Sequence, residues 1–328
     1  MTSTSSRSAE LVRDLPVGTA ATIGLCCSVY VCQMIFDINV RLFTMCPRQV
    51  LYLQHYYRIV TSCFFHGSLM HIGMNMLSTA AIATMVERRM GTFSYIFTVL
   101  WSVILTGIFS ILLALGYQWL LHDDTLMNEH SLGFSGVMFH LLVIESNLQP
   151  NGSTRSLFGL VRFPSYAYPI VMLVVMQLIM PNVSFTGHLC GILTGLLQLF
   201  GCLDVILVND SYLQEMEHNW GLLQFLVSKE NFVPTPTNTS GESAVRRDPR
   251  ILIRGLRRGC QSIASVLCRG RERLQVAIFG RGHQLNANVY LPTTNPWLRF
   301  STGNARADRN SDDPPVAKDE ENQQSQLL

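Results

Sequence analysis

Three short clusters hold the residues with which this chain could do chemistry. They are His66-Gly-Ser-Leu-Met-His71-Ile-Gly-Met-Asn75, Gly133-Phe134-Ser135-Gly136 and Gly187-His188-Leu189-Cys190-Gly191. Each stands at the start of an apolar run, where polar side chains are costly and usually functional. A serine hydroxyl becomes a useful nucleophile when a neighbouring base takes its proton, and imidazole is the commonest such base. Ser135 and His188 are therefore a candidate nucleophile and base. Asn75 follows His71 by one helical turn and lies on the same helix face. A hydrogen-bonded structural cluster would use the same residue types, and at this point it stands as the alternative.

The other histidines compete poorly with His188. His140 is five residues beyond Ser135 on the same run, rotated by about 140° and displaced by about 7.5 Å on a helix. His122 and His130 lie in a loop and are the runners-up. No Asp or Glu lies in the relevant runs near the face where the three clusters begin. A two-residue dyad is thus a simpler reading than a triad.

Apolar helices must bring these clusters together. The chain has 328 residues, 48% hydrophobic and 14% charged, against about a quarter charged in soluble domains. The charge is unevenly spread, with 15 of the 24 Lys and Arg lying after residue 206. Six apolar runs precede that step: Val17–Phe36, Gly67–Val86, Phe93–Leu115, Leu132–Leu148, Tyr166–Met180 and Phe185–Leu203. A membrane-spanning helix needs about 20 such residues. The expectation is an all-α polytopic membrane protein with six transmembrane helices. The second, fourth and sixth runs then begin at one membrane face, which sets Ser135, His188, His66, His71 and Asn75 at a common depth. Gly187, Gly191 and Gly195 recur every four residues, and Gly133 and Gly136 flank the serine. Two helices can meet there backbone to backbone.

Loop arginines give the orientation. Arg7, Arg13, Arg88, Arg89, Arg155, Arg162 and the basic tail fall on one side, and Arg41, Arg48 and Arg58 on the other. By the positive-inside tendency both termini are cytosolic. The domain reading is a short cytosolic N-terminus (1–16), a membrane domain (17–206) and a cytosolic tail (207–328). Within the tail, 233–249 reads as linker and 246–281 carries ten arginines among aliphatics. Residues 308–328 are acidic and Gln-rich, and the tail is expected to be mostly disordered. Nine cysteines form no CxxC pair or metal spacing. Cys46 and Cys63 share one loop and could pair in an oxidising lumen. Neither a metal, a cofactor nor nucleic acid is called for.

These clusters resemble the signatures of the rhomboid family of intramembrane serine proteases, over roughly residues 55–205. The resemblance rests on His66, His71 and Asn75, on Gly133-Phe134-Ser135-Gly136, on Gly187-His188-Leu189-Cys190-Gly191, and on Glu87-Arg88-Arg89-Met90-Gly91 after the second run. It implies Ser135 as nucleophile and His188 as general base and acid. It also implies an oxyanion hole from the Ser135 backbone N–H with His71 and Asn75. His66 would support the site, Gly133 would permit close helix contact, and Glu87 and Arg89 would form a structural pair. The Trp-Arg pair many members carry in the first loop is absent, and Tyr57-Arg58 stands nearby. Six runs without a seventh look most like the endoplasmic-reticulum branch. That branch implies transmembrane protein substrates and a secretory-pathway membrane. For segment 246–281 it suggests recruitment of a p97-type extraction ATPase, with a solvated basic linker and a helix lying on the anionic leaflet as the alternatives. The rival within the superfamily is a derlin-like adaptor in membrane-protein quality control, which lacks the Ser/His pair. A transporter or channel would need lining charges, of which the six runs hold only Glu145, or repeats, which they do not show.

Overall fold

The computed structural model describes residues 14–237 except 151, 158, 160, 204 and 205. It is mostly helical. The order is α1 (Val17–Ile35), two short helices α2 (Pro47–Tyr52) and α3 (Arg58–Thr61), then α4 (Leu69–Met90), α5 (Thr92–Leu121) and α6 (Ser135–Leu148). After a hairpin come α7 (Tyr168–Ile179), α8 (Phe185–Leu199), α9 (Asp210–Asn219) and α10 (Gln224–Val227). Each of the six apolar runs contains a helix. Among the described residues, α1, α4 and α5, with 19, 22 and 30 residues, are the helices long and apolar enough to cross a membrane unaided. The helices α6, α7 and α8 have 14, 12 and 15 residues. At 1.5 Å per residue they are about 18–22 Å long, less than the ~30 Å hydrocarbon core.

The strictly all-α expectation needs one correction. Strands β1 (Thr154–Leu157) and β2 (Val161–Pro164) pair antiparallel, with Thr154 opposite Pro164 and Leu157 opposite Val161. Arg155 on β1 forms an ion pair with Glu145 of α6, and its guanidinium lies 5.1 Å from the Tyr168 ring centroid. Glu145 is buried near the C-terminal end of α6, so this pairing ties the hairpin to the helix that needs its charge matched.

The centre of the bundle is α6, buried at every position from Gly136 to Asn147. The small residues that face it explain how it fits. A Cβ added at Gly191 of α8 would lie 2.0 Å from the Gly136 carbonyl oxygen, and one at Gly195 would lie 2.7 Å from Val143 Cβ. The helices touch through their backbones, so no side-chain rotation relieves the clash. Gly191→Ala is therefore expected to destabilise the fold by about 1–3 kcal/mol or more through overpacking. Gly73→Ala, with nothing within 4 Å of the added carbon, should behave as wild type. Thermal aggregation of the two variants in detergent checks this.

Glu87 does not pair with Arg89. It is fully buried and accepts from Gly18 N at 2.8 Å and Thr19 N at 2.6 Å, capping α1. It also accepts from the hydroxyls of Thr19 and Thr92, each at 2.7 Å. A carboxylate at a helix N-terminus satisfies backbone donors and the local dipole together. The Arg88 side chain instead donates to the Asp14 carbonyl oxygen at 2.9 Å.

The packed chain continues past residue 206. Leu213 and Met216 of α9 bury against Phe93, and Phe232 meets Phe93 edge-on at 5.4 Å. Thr92 N donates to Val233 O, and Thr235 N and Oγ1 both donate to Glu217 Oε1. Gly91, at φ +90°, passes so close to Thr235 that a side chain would not fit. The basic segment 246–281 and the acidic end 308–328 lie outside the described residues. Cys46 and Cys63 are both buried free thiols and form no disulfide.

Candidate active site

Ser135 is the first residue of α6, and the turn before it is held from two directions. Gly133 adopts φ +109°, a conformation that L-residues avoid, and a Cβ there would meet the His71 ring at 2.8 Å. Gly133 N donates to Ser62 O at 2.8 Å, and Phe134 N donates to His66 Nε2 at 3.4 Å. Phe134 is fully buried. The turn thus presents the Ser135 hydroxyl to a cavity of about 250 Å³.

His188 lies in the first turn of α8, whose N-cap is Ser184; Ser184 Oγ accepts from Gly187 N at 3.0 Å. Across the glycine contact, His188 Nε2 is 2.8 Å from Ser135 Oγ. That is within the reach a nucleophile and base require. The imidazole is buried, and Phe139, one turn beyond Ser135, stacks on it at 4.6 Å between centroids and 29° between planes. His188 Nδ1 has no hydrogen-bond partner among the described residues, so the ring is oriented by stacking and by its helix, with no carboxylate behind it.

His71 and Asn75 take different positions. His71 lines the cavity with Ser135 and His188. Its Nδ1 accepts from Gly67 N at 3.4 Å. In a neutral imidazole that assignment leaves the proton on Nε2, which points at the turn before Ser135. Asn75 is not among the cavity-lining residues; its Nδ2 donates to the His71 carbonyl oxygen at 2.9 Å, and its Oδ1 has no partner. His66 is fully buried behind them, edge-on to His71 at 5.1 Å, with Nδ1 3.1 Å from Phe64 O.

The remaining histidines divide. His140 is buried with Nε2 2.7 Å from Gln198 Oε1, away from the cavity. His122 caps the end of α5 in the left-handed conformation. His130 does line the cavity, with Nδ1 2.7 Å from Thr44 Oγ1. Burial, with Arg58 and Arg41 nearby, holds the His130 imidazole below its ordinary pKa. Among the described residues no group of three or more His, Cys, Asp or Glu is placed to hold a metal ion.

Two residues here had no mark in the clusters. Phe139 was legible as the position one turn from Ser135, but an aromatic in an apolar run reads as core. Glu129 lies outside the apolar runs, in the loop before α6. It comes to the start of α8, where it accepts from Ser184 Oγ and Thr186 Oγ1.

Residues 53–204 match the family model described as Rhomboid domain. The chain is 30% identical to Rhomboid-like protein 15 of Arabidopsis thaliana over 243 residues, covering 73% of this chain and 55% of that protein. It is 33% identical to Rhomboid-related protein 4 of Mus musculus over 152 residues, covering 46% and 47%. Identity to Rhomboid-type serine protease 2 of Gibberella zeae is 26% over 170 residues, covering 52% and 61%. The chain spans about half the length of the curated relatives it matches. With apolar helices along the first two-thirds and these relatives, this integral membrane protein belongs to the rhomboid family.

Proposed function

We propose that this chain is an intramembrane serine endopeptidase that cleaves transmembrane protein substrates through a Ser135–His188 dyad. The observation that carries the reading is the 2.8 Å contact between His188 Nε2 and Ser135 Oγ at a cavity wall. As Oγ attacks the scissile carbonyl, Nε2 takes its proton and later delivers it to the leaving amine. The acyl group left on Ser135 is released when His188 activates a water. Charge on the tetrahedral oxygen is met by the Ser135 backbone N–H, which has no partner within its own helix in the first turn. His71 Nε2–H is the second donor, and Asn75 and His66 hold His71 from behind. In a low-dielectric site such donors are worth more than in water. A helical peptide bond has its carbonyl occupied, so the substrate is a membrane protein whose helix unwinds easily.

The reading extends to topology. Six transmembrane helices with both termini cytosolic put Ser135 toward the lumenal face of an endoplasmic-reticulum or other secretory-pathway membrane. Because α6 and α8 are short, their first residues then lie below the bilayer surface. The arginine-rich tail segment 246–281 would recruit a p97-type ATPase, which links cleavage to extraction. Rhomboid-type serine proteases among the relatives support the hydrolase assignment. A derlin-like adaptor has no use for a serine hydroxyl held against a buried imidazole.

Labelling tests the reading directly. A fluorophosphonate added to the purified full chain in liposomes should modify one residue, Ser135, as mapped by peptide mass. Labelling that is absent, or that survives Ser135→Ala, would return the chain to the adaptor reading.

A further inference from the structure

We infer that Glu129 is a positioning residue for this reaction, a clasp that holds the start of the His188 helix against the loop leading to Ser135. The inference rests on the dyad reading. Its geometry does not.

Glu129 sits in the segment between α5 and α6, and that segment is pinned on both sides of it. Met45 and Ser131 exchange backbone hydrogen bonds at 2.8 and 2.9 Å, and Arg48 N donates to Met127 O at 2.9 Å. Met127 is fully buried. The carboxylate therefore hangs from a fixed strut. From there Oε1 accepts from Ser184 Oγ at 2.7 Å and from Thr186 Oγ1 at 2.9 Å, and Oε2 accepts from Thr186 Oγ1 at 2.9 Å. No ion pair to Glu129 exists among the described residues. Its charge is met by two hydroxyls and by the positive end of α8.

Ser184 is the pivot. Its hydroxyl donates to Glu129 and accepts from Gly187 N, so one oxygen joins the strut to the helix cap one residue before His188. Asn182 and Val183, immediately before it, line the cavity beside Ser135 and His188. Releasing the clasp would free this cavity-lining loop and the first turn of α8 together. Among the described residues no other carboxylate hydrogen-bonds to this turn, and His188 Nδ1 has no partner to hold the ring in its place. The imidazole keeps its 2.8 Å distance to Ser135 only as well as the start of α8 is held.

The test uses the full chain in liposomes, with Glu129→Ala and Glu129→Gln. Amide hydrogen exchange is read over residues 181–188 and cleavage over a single-pass substrate. Removing the acceptor should speed exchange there by about tenfold through local opening. It should lower kcat by about 10–100-fold, with KM moving less, as small misplacements of catalytic groups do. Glutamine keeps an Oε1 acceptor for both hydroxyls and should restore exchange and kcat to within about threefold, which a general loss of folding would not allow. Unchanged exchange in Glu129→Ala overturns the clasp, as does a glutamine variant as impaired as alanine. If the wild type shows no Ser135-dependent cleavage, the dyad reading fails, and the exchange of 181–188 alone decides the clasp.

Discussion

Ser135→Ala is expected to lower cleavage of a single-pass substrate to the assay floor, a loss on the order of 10⁶-fold where nucleophile and base act as a unit. His188→Ala does the same, and the double variant is no worse than either single one. The reason is visible in the contacts. Among the described residues, the ring nitrogens of His188 make one hydrogen bond, to Ser135 Oγ. Beyond that contact neither side chain hydrogen-bonds to another element among the described residues, so removing them should leave expression, membrane insertion and thermal aggregation close to wild type. Initial rates for the four proteins, each normalised to inserted protein, check the expectation. Retained cleavage in Ser135→Ala would refute the dyad. Additive losses in the double variant would mean that the two residues act in separate steps.

How much of this could be read from residues alone depends on the physics behind each feature. Apolar runs give helices because a backbone in lipid must satisfy its own hydrogen bonds, so the six runs each located a helix. The glycine spacing foretold a backbone contact, and Gly191 against Gly136 O is that contact. The glycine at 133 is needed both for its φ of +109° and for the His71 ring packed against it; the resemblance implied close contact there but not the φ. What composition could not supply were contacts set by loops and ends. The pairing of Glu87 with Arg89 was implied by the family resemblance, yet four donors from α1 and Thr92 claim the carboxylate. The hairpin at 154–164 and the packing of α9 onto Phe93 depend on tertiary partners, Glu145 and Phe93, that lie 10 residues away in one case and across the bundle in the other. Glu129 shows the same limit. A loop carboxylate carries no periodicity to betray that it closes on Ser184.

The same contrast separates two residues that the motif treats alike. His71→Ala should lower kcat by about 10²–10³-fold with little change in KM, because its Nε2–H meets charge that develops only in the transition state. Asn75→Ala should cost clearly less. Its amide already donates to the His71 carbonyl oxygen at 2.9 Å, and the side chain is buried behind the cavity wall. Its contribution to turnover comes through the placement of His71. A Val at position 75 removes the amide yet keeps branched bulk, so it should behave like alanine at 75 and unlike alanine at 71. Combining Asn75→Ala with His71→Ala should then add little to the loss from His71→Ala, since the support is spent once the donor is gone. Steady-state kcat and KM for the three variants and the double decide the matter. Equal losses at 71 and 75 that multiply in the double would make Asn75 an independent oxyanion donor, one that must leave the His71 carbonyl to reach the substrate. A KM effect at 71 with normal kcat would make His71 structural and leave the Ser135 N–H as the sole donor from this set.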